Sequence, residues 1–174
     1  MKSTNKLLIV MALSLAIAFY WDKLAFIKNP IHAAFDPSIG ALLNWNVDIG
    51  MVIIAAVIGL IIILVQKYTT DQKTLREIKK EQKLLQEEIK KYKNDQQKFL
   101  ELNKKQLELW PKTMDITLRP IVYTSVPIIL FFRWFNDYFA ANPVKIFGFL
   151  GWIWAYLILS IIFTSIFRKV FNVA

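Results

Sequence analysis

The stretch IGMVIIAAVIGLIIILVQKYTTDQKTLREIKKEQKLLQEEIKKY, residues 49–92, changes character at Gln66. Its first 17 residues carry no charge. A bilayer core of roughly 30 Å needs about 20 helical residues, with about 17–25 tolerated, so 49–65 reads as a short membrane span. Beyond Gln66 the chain is rich in Lys, Glu, Gln and Leu, all good helix formers. Leu75, Ile78, Gln82, Leu85, Ile89, Tyr92, Gln96 and Phe99 recur on a seven-residue repeat, the pattern of a helix that buries one stripe against a partner. A span that runs directly into a charged, amphipathic helix decides the fold class.

The 174 residues include 56% hydrophobic residues, 22 basic and 13 acidic ones. Residues 67–119 carry 23 of the 35 charges, 14 basic and 9 acidic, leaving too few elsewhere to coat a soluble globule. There is no cysteine and a single histidine, His32. Disulfides, thiolate metal sites and His-rich metal sites are thereby excluded, and a Ser-His-Asp triad is not expected. Phosphate-loop, dinucleotide, nucleophile-elbow and zinc-protease patterns are missing. The expectation is a protein that is not an enzyme, with no catalytic residue, no metal and no cofactor.

Three further apolar stretches occur at 7–21, 118–135 and 146–167. The division expected is an N-terminal span or signal peptide at 1–21, an external loop at 22–48 and core span one at 49–66. A cytoplasmic helical hairpin at 67–117 and core span two at 118–135 come next. An external loop at 136–145, core span three at 146–167 and a cytoplasmic tail at 168–174 complete it. Lysines ahead of a 15-residue apolar run and then Ala16-Ile17-Ala18 fit a cleavable signal. The same stretch fits a retained span anchored by Tyr20 and Trp21. The 14 Lys and Arg in 67–119 and the Arg168-Lys169 pair place hairpin and C-terminus on the cytoplasmic side of the plasma membrane, against only Lys23, Lys28 and Lys145 opposite.

Between Thr70 and Trp110 there is neither Pro nor Gly. The chain leaves the membrane after Val65 and returns by Leu118, so one straight helix is excluded. An antiparallel coiled-coil hairpin satisfies both facts, with Lys93-Asn94-Asp95 as its turn. Leu75, Ile78, Leu85, Ile89, Tyr92 and Phe99 are its packing residues, and Pro111 is expected to end the second arm. Acidic residues alternate with the lysines, which argues against specific DNA binding.

Polar groups inside spans carry functional weight because lipid rejects them. Arg119 opens the second span as either an interfacial anchor or a groove cation. Pro127 frees the carbonyl of Tyr123, with Thr124 and Ser125 nearby to satisfy it. Arg133 interrupts FFRWF and is expected to pair with Asp137 four residues on, to snorkel, or to line a wet cavity. Trp152, Tyr156, Ser160 and Thr164 recur every four residues, as either a packing seam or a moderately polar groove wall. Gly148 and Gly151 are expected to permit close helix approach. Asn44, Asn46 and Asp48 read as the cap of the 49–65 span, and Gln66 lies where a groove mouth would open.

VQKYTTDQKTLREIKKEQKLLQ, MDITLRPIVYTSVPIILFFRWF and GFLGWIWAYLILSIIFTSIFRKVF, in this order and spacing, resemble the archaeal branch of the YidC-type membrane protein insertase superfamily. That branch is related to the insertase subunit of the endoplasmic reticulum membrane protein complex. The resemblance covers residues 36–171. It implies an all-α integral membrane protein with three core transmembrane helices, a cytoplasmic hairpin between the first and second, and here an added N-terminal hydrophobic helix. It also implies a hydrophilic groove open to cytosol and lipid, through which nascent membrane proteins pass into the bilayer without nucleotide hydrolysis. Such proteins carry a basic groove residue in the first core span; 49–65 has none, a departure under which charge attraction operates only if Arg119 or Arg133 supplies it from the second span. Tyr156, Ser160 and Thr164 become groove-wall residues, and ribosomes or partner membrane subunits become candidates for the hairpin. Two other classes fit the residues: an ion channel or small transporter, and a membrane-anchored adaptor.

Overall fold

The computed structural model describes residues 3–173, except for the side chains of residues 3–7 and 119. Seven α-helices make up most of the described chain, with a 3₁₀ turn between α1 and α2 and a π turn between α2 and α3. They are α1 (Ser3–Tyr20), α2 (Ala25–Phe35), α3 (Ala41–Trp45), α4 (Val47–Thr69), α5 (Gln72–Lys91), α6 (Gln96–Ala141) and α7 (Trp152–Val170). No strand occurs among the described residues.

Two helices are long and apolar enough to cross a bilayer by themselves, α4 with 23 residues and α7 with 19. At about 1.5 Å per residue these are roughly 35 and 29 Å long. Up to four spans result if each of two bent helix pairs is one span: Leu8–Lys23 with Ala25–Trp45, bent by 86°, and Gln96–Leu118 with Pro120–Ala141, bent by 49°. The protein is an all-α integral membrane protein.

Local chemistry sets the helix ends. Asn46 is extended, and its side-chain oxygen accepts from the Asp48 and Ile49 amides at 3.1 and 3.0 Å, capping α4. Asp71 caps α5 in the same way through Lys73 and Thr74, and Asp95 caps α6 through Lys98. The hairpin turns at Tyr92–Asp95, between α5 and α6.

Several expectations are corrected. Residues 22–48, read as a loop, are almost wholly helical, and α6 carries helix six residues into the expected loop at 136–145. The boundary expected between core span one at 49–66 and the hairpin at 67–117 shifts: α4 continues to Thr69, and a break at Thr70–Asp71 precedes α5. Pro111 does not end the second arm, because α6 runs through Pro111, Pro120 and Pro127. A proline keeps a helical φ and forfeits one hydrogen bond. Here packing holds both sides of Pro111, with Leu109 against Leu85 and Ile116 against Leu75 and Ile78 of α5.

The main core lies away from the hairpin, where α3, α4, α6 and α7 meet. Leu43, Met51, Ile54, Phe131, Trp134, Phe135, Phe139 and Tyr156 are buried there. Aromatic rings dominate it: Phe135 sits 5.0 Å from Phe139 edge-on, and Phe139 stacks on Trp152 at 5.6 Å. Edge-to-face and offset contacts of this kind add about 0.5–1.5 kcal/mol each beyond area burial. Gly50 lets α3 approach α4 closely, since a Cβ there would lie 3.1 Å from the Leu42 carbonyl oxygen. Gly148 and Gly151 have nothing within 4 Å of an added Cβ, so neither serves as a helix contact; Gly148, at φ +80°, shapes the turn before α7.

Candidate functional site

α4 and α6 diverge below this core and leave a groove of about 420 Å³ between them. Ile53, Val57, Ile58, Ile61 and Val65 form the α4 wall, and Tyr123, Thr124, Pro127, Ile128 and Phe131 the α6 wall. The alternation reflects the helix period: 54, 58, 61 and 65 share one face of α4, and 124, 128 and 131 one face of α6. Val57 is 50% exposed and Ile61 52%, so the groove opens sideways along α4.

The end away from the hairpin is closed. Phe35, Ile39 and Leu42 line it there. They are held by the Phe35 ring edge-on to Trp134 at 5.4 Å and by the Trp134 indole N–H, which donates to Asp36 at 2.7 Å. The segment read as an external loop is therefore a folded plug.

Among the described residues the groove lining is apolar rather than hydrophilic, a correction to the expectation. Tyr123 and Thr124 are its only polar side chains among the described residues. The Thr124 hydroxyl already donates to the Pro120 carbonyl at 3.0 Å. A hydroxyl so bonded adds little to the hydration of the wall.

The other expected groove residues are dispersed. Ser125 does not line the groove, and its hydroxyl is buried without a partner. Arg133 does not pair with Asp137: its guanidinium lies over the Trp21 ring at 5.9 Å, and its Nε is buried unbonded. Asp137 instead accepts from the Trp21 indole at 2.7 Å and the His32 Nε2 position at 3.1 Å, with Lys28 Nζ at 3.1 Å. Side chains from the turn after α1 and from α2 win the carboxylate over the neighbour one helical turn away. The side chain of Arg119 lies outside the described residues.

Tyr156 is buried in the aromatic core, 5.0 Å from Phe132. Ser160 and Thr164 donate back to the carbonyls of Leu157 and Ser160. A Cβ on Gly59 would meet Thr164 at 3.6 Å, so Thr164 lies in the packing seam between α4 and α7, whereas Tyr156 packs on Phe132 and Phe135 of α6. Gln66 lies at the hairpin end, its side-chain oxygen accepting from Arg168 at 3.3 Å.

In the hairpin, Leu75, Ile78 and Leu85 are buried, and Ile89 packs against the cluster of Leu85, Leu102 and Leu109. Phe99 is half-buried, while Tyr92 is 40% exposed at the turn with Lys98 over its ring at 4.4 Å. Leu102 and Leu109 lie beyond the seven-residue repeat that ends at Phe99, and they complete this cluster from α6.

A helical membrane bundle with a projecting helical hairpin and a laterally open groove defines the class. Residues 33–149 match the family of EMC3/TMCO1-like integral membrane proteins. The chain belongs to that family, a branch of the YidC/Oxa1/Alb3 insertase superfamily associated with membrane insertion. No curated protein and no solved structure matches the chain.

Proposed function

We propose that the chain is a membrane protein insertase that receives short apolar segments from the cytosol and releases them sideways into lipid. The observation that carries this reading is the α4/α6 groove, exposed along α4 and bounded away from the hairpin by Phe35, Ile39 and Leu42. Its apolar walls suit the apolar part of a client, which gains about 25 cal/mol for each Å² removed from water. The polar flank is left to cross beside the groove. At roughly 29 Å, α7 is at the short end of the bilayer range, which favours local thinning and shortens that crossing.

The clients in this reading are nascent membrane proteins. The net positive hairpin faces the cytosol of the plasma membrane, as the distribution of Lys and Arg directs, where ribosomes or partner membrane subunits would dock. Nothing in the proposal uses nucleotide or a cofactor. An ion channel is the weaker reading, because the described groove side chains include no ionisable group at neutral pH.

The test is reconstitution of the purified chain into liposomes with a ribosome-free protein bearing one terminal span and a short polar tail. Protease protection of the tail reports insertion. Ile58→Trp and Ile61→Trp fill the groove and should lower protection while the protein stays folded. A single cysteine at Val57, in a chain that has no other, should crosslink to the client span. Undiminished insertion by both tryptophan variants, with no crosslink, would sink the reading.

A further inference from the structure

Where the two long spans leave the bundle toward the hairpin, four cations from three helices converge. Lys67 ends α4, Arg76 and Lys79 lie in the first turns of α5, and Arg168 ends α7. The C-terminal segment ties them together: Asn172 takes a left-handed φ of +53°, and the Val173 amide donates to the Arg168 carbonyl at 2.9 Å. That turn presents the Asn172 carbonyl to the Arg76 guanidinium, while Lys67 lies over the Phe171 ring at 5.5 Å. Arg168 donates to the Gln66 side chain at 3.3 Å.

Every one of these partners is neutral. Among the described residues none of the four cations has a carboxylate partner, although ion pairs form elsewhere, as at Lys105–Glu101. Asp71, the nearest acid in sequence to the break, is engaged in capping α5. Partial desolvation, and then the charge of Arg168, push the Lys79 amine below its usual range. Among the described residues, then, like charges are gathered at a cost with no carboxylate set against them, which an anion would relieve.

The geometry points to a site for the phosphate of an anionic phospholipid at this corner, its acyl chains lying along α7. Arg76 and Arg168 offer planar guanidinium donors to phosphate oxygens, and Lys79 and Lys67 offer point charges. Ile162, Ile166 and Val170, spaced one turn apart, are 48%, 47% and 69% exposed. They form an apolar track that begins beside Arg168 and runs into the membrane, as the tails of a lipid require and a free phosphate does not. The corner also sits at the ends of both spans, the depth of the headgroup layer. The site is separate from the α4/α6 groove and does not depend on what passes through it.

The experiment is thermal unfolding of the full chain in neutral detergent, titrated with short-chain phosphatidylglycerol, phosphatidylcholine or inorganic phosphate. Phosphatidylglycerol alone should raise the melting temperature in a saturable way. Lys79→Gln with Arg168→Gln should weaken that apparent affinity by roughly thirtyfold, at about one kcal/mol per surface cation. Lys104→Gln with Lys105→Gln, on the far part of the hairpin, should leave it unchanged. Equal shifts from both lipids would overturn the site, and so would an unchanged response in the Lys79/Arg168 variant. A matching shift from inorganic phosphate would reassign it to a free anion and overturn the lipid. Should the double variant fail to fold, native mass spectrometry of the wild-type chain decides. Preferential retention of phosphatidylglycerol over phosphatidylcholine supports the site, and equal retention rejects it.

Discussion

Trp21 donates its indole N–H to Asp137 at 2.7 Å, joining the 3₁₀ turn after α1 to the last turns of α6 across 116 positions of sequence. The same ring carries the Arg133 guanidinium at 5.9 Å, and the same carboxylate takes His32 and Lys28. One tryptophan and one aspartate thus fasten α1 and α2 onto the last turns of α6.

Asp137→Asn retains the shape of this junction and removes its charge. Hydrogen bonds to ionised groups contribute about 1.5–3 kcal/mol, so destabilisation of about that size is expected in thermal unfolding. Trp21→Phe keeps a ring for Arg133 and loses the bond to Asp137, and should cost less than Trp21→Ala. Equal losses for the two Trp21 variants would show that the indole N–H is immaterial.

Two glycines on α4 should respond in opposite directions to alanine. At Gly50 the added methyl meets Leu42 backbone at 3.1 Å and Leu43 at 3.2 Å, so α3 must move. Overpacking of that kind costs about 1–3 kcal/mol. At Gly59 the nearest atoms, on Phe163 and Thr164, lie at 3.5 and 3.6 Å, ordinary contact distances. There the helix-propensity gain of about 0.5–1 kcal/mol should show as a higher melting temperature.

In the hairpin, Leu85→Ala should destabilise by about 2–5 kcal/mol, because Leu85 is buried against Leu102 and Leu109. Leu107→Ala, at a side chain 71% exposed, should leave stability unchanged. Denaturant unfolding followed by helical circular dichroism distinguishes the two. Similar losses would contradict the observed facing of the arms.

Acid should loosen the start of α5. The Thr74 hydroxyl and amide, then the Lys73 amide, hold the Asp71 carboxyl below its usual range. A carboxylate with a lowered folded pKa stabilises the fold above its unfolded value, near 4. That contribution disappears as pH falls through the folded value. Amide exchange at Lys73 and Thr74 should therefore accelerate, relative to the rest of α5, as pH drops below about 4. Asp71→Asn, which still caps but cannot titrate, should remove that pH dependence.

Sequence alone determined what depends on neighbours within a few turns. The uncharged run of 49–65, the Leu/Ile repeat of α5 and the Lys93-Asn94-Asp95 turn are consequences of local hydropathy, helix period and turn chemistry, and each is met in the structure as α4, α5 and the hairpin bend. Asn46 likewise declared itself as a cap by its place ahead of an apolar run. The order of these segments also carried the family.

Tertiary structure decided what depends on competition between distant groups. Arg133 and Asp137 stand at helical pairing distance, yet Trp21 from the turn after α1 and Lys28 and His32 from α2 take the carboxylate. Pro111 has the chemistry of a helix end, yet packing of Leu109 and Ile116 against α5 carries the helix past it. The Tyr156, Ser160 and Thr164 stripe has the period of a groove wall, yet it faces the core and α4, and the groove opens on an apolar face instead. In each case a preference set by near neighbours in the chain is outweighed by the contacts made when the helices pack together.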